Sequence, residues 1–346
     1  MNNKIQKFGT YSPAAGTQPE GIGPNGTSTY AGEAASGYIA AALLSANTLD
    51  KKLVTIMPNV KFKSVIQKLA LSSLISDASC DFNATATASI SEQVLVPEEF
   101  QVNLQLCKQQ FVDSWNALQL GFSAFDEIPK NFNDFLISYV GGNVAQALEE
   151  SIWQGVLANN GEFNGFETLF SASVAAGGAT AVLPARLTGG SSAVISGSVT
   201  SANVIQKLQS VVDTIPDTVY GKQDLVIYVP TNVAKAYQLA TAGLTSTGTT
   251  LANVGANGYQ NAFTIGEKPY NFNGIDIVLC PGMTASKIVA AQKSNLFFGT
   301  GLMSDLNEVK VIDMANIDGS QNYRVIMRYT AGVQFGVGQD IVYYAG

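Results

Sequence analysis

Apolar and polar positions alternate along this chain with two different periods, and the changes of period mark its elements. The helical period is clearest in Asn131–Ala158, where Phe132, Phe135, Leu136, Tyr139, Val140, Val144, Ala147, Leu148, Ile152 and Val156 recur at three- and four-residue steps. This spacing predicts one long spine helix, capped by Asn131 with Asp134 in its first turn and with Glu149 and Glu150 on its wetter face. Gly141-Gly142 falls in mid-helix. Each glycine there costs about 1 kcal/mol against alanine, so a bend or a close packing is expected.

Upstream, Val54–Ala70 and Ile90–Leu106 read as two extended segments on either side of Asp77–Ser89, where small polar residues dominate. They predict a long β-hairpin projecting from a core. Such an arm is poorly stable alone and needs a neighbour to lean on. Residues 1 to 33 are rich in Gly, Pro, Ser, Thr and Asn and read as an extended tail, followed by a short Ala-rich helix near Ala34–Ala46. Gly21–Gly26 formally matches GxGxxG, but no strand precedes it, so it reads as tail and not as a dinucleotide site.

Beyond the spine, Asn159–Ser198 reads as a glycine-punctuated loop stretch, and Ser201–Ile215 as a helix with Val204, Leu208, Val211 and Val212 on one side and Ser201 as cap. A short apolar strand, Leu225–Val229, leads through Pro230-Thr231-Asn232 into a helix at Val233–Thr241, which is an α/β unit. Tyr270–Cys280 reads as a hairpin around Asn273-Gly274, the type I′ pair. The last third predicts strands at Val309–Asp313, Asn322–Ala331 and Val333–Tyr344, with Asp318-Gly319 turning between the first two. Asn316–Gly319 resembles part of a calcium loop, yet Met314 and Val325 stand where ligands belong, so it reads as a turn. The fold class is α+β.

Composition changes the picture in one respect. Charged residues are only 13% of the chain, against about a quarter in an ordinary soluble domain. From Thr168 to Gln206 the only charge is Arg186, and from Ala236 to Gly266 there is none. Interface cores are depleted in charge, so these stretches read either as polar loops or as surface that meets other copies. The net charge of −7 argues against a general grip on nucleic acid.

The chain contains no histidine, which removes Ser-His-Asp and Cys-His catalysis and imidazole metal sites. Cys80, Cys107 and Cys280 lie far apart and form no zinc or disulfide framework. No catalytic, metal or cofactor constellation emerges, so a non-enzymatic chain without cofactors is expected. The longest apolar run, Tyr38–Leu44, is too short to span a bilayer, and the start shows no secretory pattern. A soluble chain that stays in the cytoplasm where it is made, with no membrane partner, is the expectation.

Three stretches then carry a resemblance: NVAQALEESIWQGVLANNGEFNG at the end of the spine; ANVIQKLQSVVDTIP with DLVIYVPTNVAKAYQLATA; and NFNGIDIVLCPGMTASKIVAAQKSNLFFGTGL with NYRVIMRYTAGVQFGVGQDIVYY. Their order, over Ala34–Tyr344, resembles the major capsid protein of tailed bacteriophages, the Hong Kong ninety-seven-type fold. One departure is Pro230-Thr231-Asn232, where the family has an asparagine–proline-like turn. The resemblance implies an N-terminal arm at 1–52, an extended β-hairpin loop at 53–97, a peripheral domain at 98–215 and 299–346 holding the spine helix 131–158, and an axial domain at 216–298. It implies a final antiparallel strand pair. It also implies a structural subunit that assembles as hexamers and pentamers into an icosahedral capsid around double-stranded DNA, without gripping that DNA tightly.

Some members begin with a long scaffolding segment that a protease removes, whereas here the arm starts at Met1 and is short: either a separate scaffolding protein or the mature form is expected, and the retained Met1 favours the first; a portal and decoration proteins are further implied partners. The expected location is the virion capsid, assembled in the host bacterial cytoplasm. Subunit contacts are expected from Val60, Lys61, Phe62, Lys63, Val65, Lys68 and Leu69 on the hairpin. The lysines would face carboxylates such as Glu98, Glu99 or Asp313 of a neighbour, or simply be solvated. No lysine–asparagine crosslink pair is identifiable. The alternatives are an encapsulin-type compartment and, from the Ser/Thr/Gly-rich loops and the Asn25-Gly26-Thr27 sequon, a surface or fibre protein.

Overall fold

The computed structural model describes residues 27–31, 46–60, 62–72, 87–107, 130–186, 193–241, 270–301 and 308–346. Of the tail expected at residues 1 to 33, only Thr27–Ala31 is described, and it is no tail but a strand paired with Glu308–Ile312; the helix near Ala34–Ala46 and the charge-free segment Gly243–Gly266 lie outside the described residues, apart from Ala46 itself, which is buried just ahead of a short helix.

Among the described residues, two sheets, one long helix, shorter helices and a two-stranded hairpin make up the fold. Strands β1 (Thr27–Ala31), β2 (Thr55–Pro58), β5 (Glu98–Cys107), β11 (Leu296–Thr300), β12 (Glu308–Asp313) and β13 (Asn322–Phe335) form the first sheet, in the order β1-β12-β13-β11-β2 with β5 also paired to β13. Strands β6 (Leu183–Pro184), β7 (Leu225–Val229), β8 (Tyr270–Phe272), β9 (Ile275–Leu279), β10 (Ile288–Gln292) and β14 (Val342–Tyr344) form the second, in the order β6-β14-β10-β7-β9-β8. The hairpin is β3 (Ser64–Ser72) against β4 (Thr87–Leu95). The α-helices among the described residues are α1 (Asn47–Asp50), the spine α2 (Lys130–Gln154), α3 (Phe166–Ala176), α4 (Val204–Thr214) and α5 (Thr231–Thr241). Among the described residues no helix is long and apolar enough to cross a membrane.

The second sheet is covered on both faces. Along β7, Val226 and Tyr228 join the core beneath the spine, while Leu225, Ile227 and Val229 join a separate core with α4 and α5. The same alternation holds in β10, with Val289 and Ala291 against Ile288 and Ala290, and in β14, with Tyr343 against Val342 and Tyr344. Burial on both faces explains why LVIYV reads as a continuous apolar run and not as an alternating one. Lys207 of α4 is buried and donates to the Ser196 carbonyl at 2.7 Å and the Tyr344 hydroxyl at 2.6 Å, fixing β14 to this layer.

An aromatic seam joins the layers. Trp153 of the spine lies 5.5 Å from Phe166 and 5.3 Å from Tyr228, and Phe170 lies 5.7 Å from Phe335 and 5.8 Å from Tyr343, all centroid to centroid. Five elements from both sheets and two helices thus share one set of ring contacts, each worth about 0.5–1.5 kcal/mol beyond the area it buries.

Several sequence expectations need correction. The spine begins at Lys130, which places Asn131 inside the first turn and not at the cap, and it ends at Gln154 rather than Ala158. It stops there because the chain folds straight back: the Gly165 N–H donates to the Gly155 carbonyl at 2.9 Å, and a Cβ on Gly165 would lie 2.6 Å from the Ser151 oxygen. The buried face is Ile137, Val140, Val144, Ala145, Leu148, Glu149, Ile152 and Trp153, whereas Tyr139, Ala147 and Val156 are exposed. Glu149, expected on the wet face, is buried. The stretch Asn159–Ser198 is no mere loop, because α3 lies within it, with Phe166 and Phe170 buried and Gly177 at φ 65° ending it.

Ser201 does not cap α4. It sits in a turn where the Thr200 N–H donates to Asn203 Oδ1 at 2.8 Å, and the helix starts after Asn203. The expected terminal strand pair is also absent from the described residues: β13 runs unbroken through Gly332 to Phe335, and Val342–Tyr344 pairs with β10 of the other sheet. The hairpin is narrower than the two segments proposed for it, because Thr55–Pro58 pairs with β11 and Glu98–Cys107 with β13. Asn59, at φ 69°, and Pro97, which has no N–H to donate, mark the breaks. The turn at Asn273-Gly274, with φ of 50° and 80°, is as expected.

Candidate functional site

The hairpin stands apart from both sheets. Nine residue pairs, from Ser64↔Leu95 to Ser72↔Thr87, join β3 to β4, and among the described residues neither strand has another strand partner. At about 3.3 Å per residue the ladder is about 30 Å long. Directly opposed residues share a face, so Val65 with Val94 and Gln67 with Glu92 fall on one side, which Ile90 shares two residues before Glu92. Gln67 Nε2 donates to Glu92 Oε1 at 2.6 Å.

That side is open, and its apolar residues flank the Gln67–Glu92 pair. Val65 is 45% exposed, Val94 42% and Ile90 62%, and at the root Phe62 is 82% and Val96 52% exposed. An exposed β-branched strip on a two-stranded ribbon is unusual for a chain that ends its life alone, because such a ribbon is marginal in water without something to cover it. The other side is covered at its root, where Leu95 is fully buried over the first sheet and Gln334 Nε2 donates to the Val94 carbonyl at 3.0 Å.

The residues expected to make subunit contacts are distributed unevenly. Phe62, Lys63 and Val65 are exposed. Val60 is buried within its own chain, its N–H donating to the Thr300 carbonyl at 3.0 Å, so it braces the hairpin root and presents nothing outward. Lys61 lies outside the described residues; Lys68 and Leu69 are in β3, opposite Ser91 and Ile90. Glu98 and Glu99 open β5 opposite Ala331 and Thr330, the first half-buried and the second exposed. Asp313 already accepts from the Ala315 N–H at 2.9 Å and the Tyr323 hydroxyl at 3.0 Å. Burial and that carboxylate push the Tyr323 phenol well above its ordinary range.

A buried polar strap behind the hairpin escaped the sequence reading. Glu149 accepts from the Thr48 N–H at 2.8 Å and the Thr48 hydroxyl at 2.7 Å, and Trp153 Nε1 donates to Thr48 Oγ1 at 2.9 Å. Asn47 Nδ2 donates to the Leu279 carbonyl at 2.9 Å, and the Tyr228 hydroxyl to the Leu53 carbonyl at 2.6 Å. Burial, with the Glu149 charge nearby, pushes the Cys280 thiol well up, so it is an inert core thiol. These bonds fix residues 47–53 to the spine and the second sheet, so the hairpin departs from an immobile base. The signal was present: Glu149 sits four residues after Ala145 and four before Trp153, on the apolar stripe.

A second internal tie links α3 to the loop before β10. Glu167, itself buried, accepts from Lys287 Nζ at 2.9 Å, the Thr284 hydroxyl at 2.6 Å and the Thr284 N–H at 2.8 Å. Burial lowers the Lys287 pKa, but the Glu167 carboxylate outweighs it and the ammonium is held above its ordinary range. These carboxylates are consumed by structure. Among the described residues no group of three or more His, Cys, Asp or Glu is placed to hold a metal ion.

A spine helix packed on two sheets, with a projecting hairpin, is a fold that this chain shares with solved capsid structures. Solved structures share it across nearly the whole chain. The capsid of the empty GTA particle superposes with a TM-score of 0.52 at 12% identity, covering 97% of this chain and 95% of that one. The capsid of cyanophage A-1(L) gives 0.53 at 12% identity, covering 87% and 92%, and a structure from Gordonia phage Cozz gives 0.52 at 10% identity, covering 86% and 85%. No protein-family model and no curated protein matches the sequence itself.

Proposed function

We propose that this chain is a structural, non-catalytic subunit that assembles with copies of itself into the icosahedral capsid of a tailed phage, as hexamers and pentamers, around double-stranded DNA. The observation that carries this is the capsid fold shared over 97% of the chain. The open apolar strip of the hairpin supports it, since a neighbouring copy would supply the cover that the ribbon lacks. In this role the arm 1–52 and the loop 53–97 reach to neighbours, 98–215 with 299–346 forms the peripheral part around the spine, and 216–298 forms the axial part. The second sheet also contains β6 and β14 and packs against α4, so in our reading these elements would belong with the axial part.

The contact set becomes Phe62, Lys63, Val65, Ile90, Val94 and Val96, with Lys61, Lys68, Leu69, Glu98 and Glu99 beside them. Lysines there pair with a neighbour's carboxylates or remain solvated at about 0–1 kcal/mol each. A separate scaffolding protein, a portal and decoration proteins complete the proposed assembly, which forms in the host cytoplasm and ends in the virion. The acidic chain would leave packaged DNA free to move. Electron microscopy of the purified chain tests the proposal: closed shells, or rings of five or six, are expected, and a dispersed monomer at high concentration would reject it.

A further inference from the structure

The hairpin root rests on two glycines that face each other across the first sheet. Gly299 of β11 and Gly332 of β13 are direct register partners, and neither has the positive φ that would call for glycine on backbone grounds. Glycine inside a strand weakens it and marks a place where another part of the chain comes close. Both positions answer to that description. A Cβ on Gly299 would collide with Leu95 Cδ2, and one on Gly332 would lie 2.9 Å from the Val96 oxygen and 3.0 Å from Pro97 Cα. The last residue of β4 and the link into β5 therefore sit in a slot that exists only because two side chains are missing. Gly336, four residues on, is close instead to Asn295, whose Oδ1 would lie 2.8 Å from a Cβ there, with Ile66 Cγ2 at an ordinary contact distance of 3.5 Å.

We propose that Gly299 and Gly332 are positioning residues for assembly, setting the angle at which the hairpin leaves the subunit. The inference rests on the shell function proposed above. Because the ladder is about 30 Å long, a tilt of about 10° at its root moves the tip about 5 Å, which is the spacing between neighbouring strands. A strip displaced by that much misses its register on the next subunit even though the subunit itself is intact. Filling the slot thus harms assembly more than folding.

The test uses the full chain and the variants Gly299→Ala, Gly332→Ala, Leu95→Ala and the double variant Gly299→Ala with Leu95→Ala. Three quantities are read: thermal unfolding, the rate of proteolytic cleavage within the hairpin of unassembled subunits, and the fraction in particles by sedimentation and electron microscopy. Each single glycine variant is expected to fold, to be cleaved faster in the hairpin, and to lose about tenfold or more of its particles. The double variant, in which the new methyl takes the space Leu95 vacates, is expected to recover most of both losses. Wild-type cleavage and wild-type particles in both glycine variants would overturn the inference. Should those variants fail to fold, Leu95→Ala decides, since it empties the slot without adding an atom: a loosened hairpin with fewer particles supports the seat, and wild-type behaviour overturns it. If the unmodified chain forms no particles, the shell function fails instead, and the cleavage rates alone then judge the seat.

Discussion

The second sheet and the hairpin are built from similar β-branched residues and have opposite fates. In β7 every side chain is buried, three against one core and two against another, and each fully buried Val, Leu or Ile contributes about 1.5–3 kcal/mol. In the hairpin, Val65, Ile90 and Val94 remain in water. The first region has all its partners within the chain. The second has an apolar strip and no partner there among the described residues, so the same residue types serve folding in one place and are left for association in the other.

Substitutions should therefore separate the two regions. Trp153→Ala removes the centre of the aromatic seam and the bond to Thr48, and is expected to destabilise the subunit by about 3–5 kcal/mol in urea unfolding. Glu149→Leu leaves the Thr48 N–H and hydroxyl facing an apolar group, at a cost of about 1–3 kcal/mol by the same measurement. A cost no larger than that of an exposed substitution would mean that the strap is not a fixed base.

A smaller effect is expected at Asp224, where the chain enters β7. Burial pushes its carboxyl up, but hydrogen bonds from the Ser294 hydroxyl and from Gln292 Nε2 outweigh that and hold it below the ordinary carboxylate range. A folded value below the unfolded one means stability that is present above the unfolded value and lost as pH falls through the folded one. Asp224→Asn should flatten the acid limb of a stability-against-pH curve and leave the neutral region nearly level. Smallest of all in the isolated subunit, Val65→Thr, Ile90→Thr and Val94→Thr, the parts of one triple change, should each alter unfolding by about 0.5 kcal/mol or less when made singly. The same triple change should abolish particles in the electron microscope. A triple variant that still forms shells would remove the strip from the contact set.

Much of the fold was legible where the signal was local. Leu225–Val229 and the Asn273-Gly274 turn were located to the residue, because a five-residue apolar run and a positive-φ pair depend on little else. The hairpin was legible in outline, but its limits were not. Whether Thr55–Pro58 and Glu98–Cys107 continue the ribbon or join a sheet is decided by β11 and β13, some two hundred residues away. Helix α3 was missed because its apolar residues follow a single charge, Glu167, and resemble the loops around them. Gly332 read as a strand break because glycine between two extended runs is the usual mark of a turn; its real cause, the approach of Val96 and Pro97, is visible only in three dimensions. Of the contact set, Phe62, Lys63 and Val65 were legible as exposed, whereas Val60 was not legible as internal, since its burial depends on Thr300.

The position of β14 carries a consequence for how the protein is made. Val342–Tyr344 is an interior strand of the second sheet, with β6 on one side and β10 on the other, and its three side chains reach both cores. During synthesis β7, β9 and β10 precede it, so β10 keeps one edge open until residues 342–344 are made. A truncated or stalled product therefore lacks the platform against which the spine is packed. The second sheet is thus closed by the last of the described strands, and loss of residues 342–344 would leave both cores open along β10.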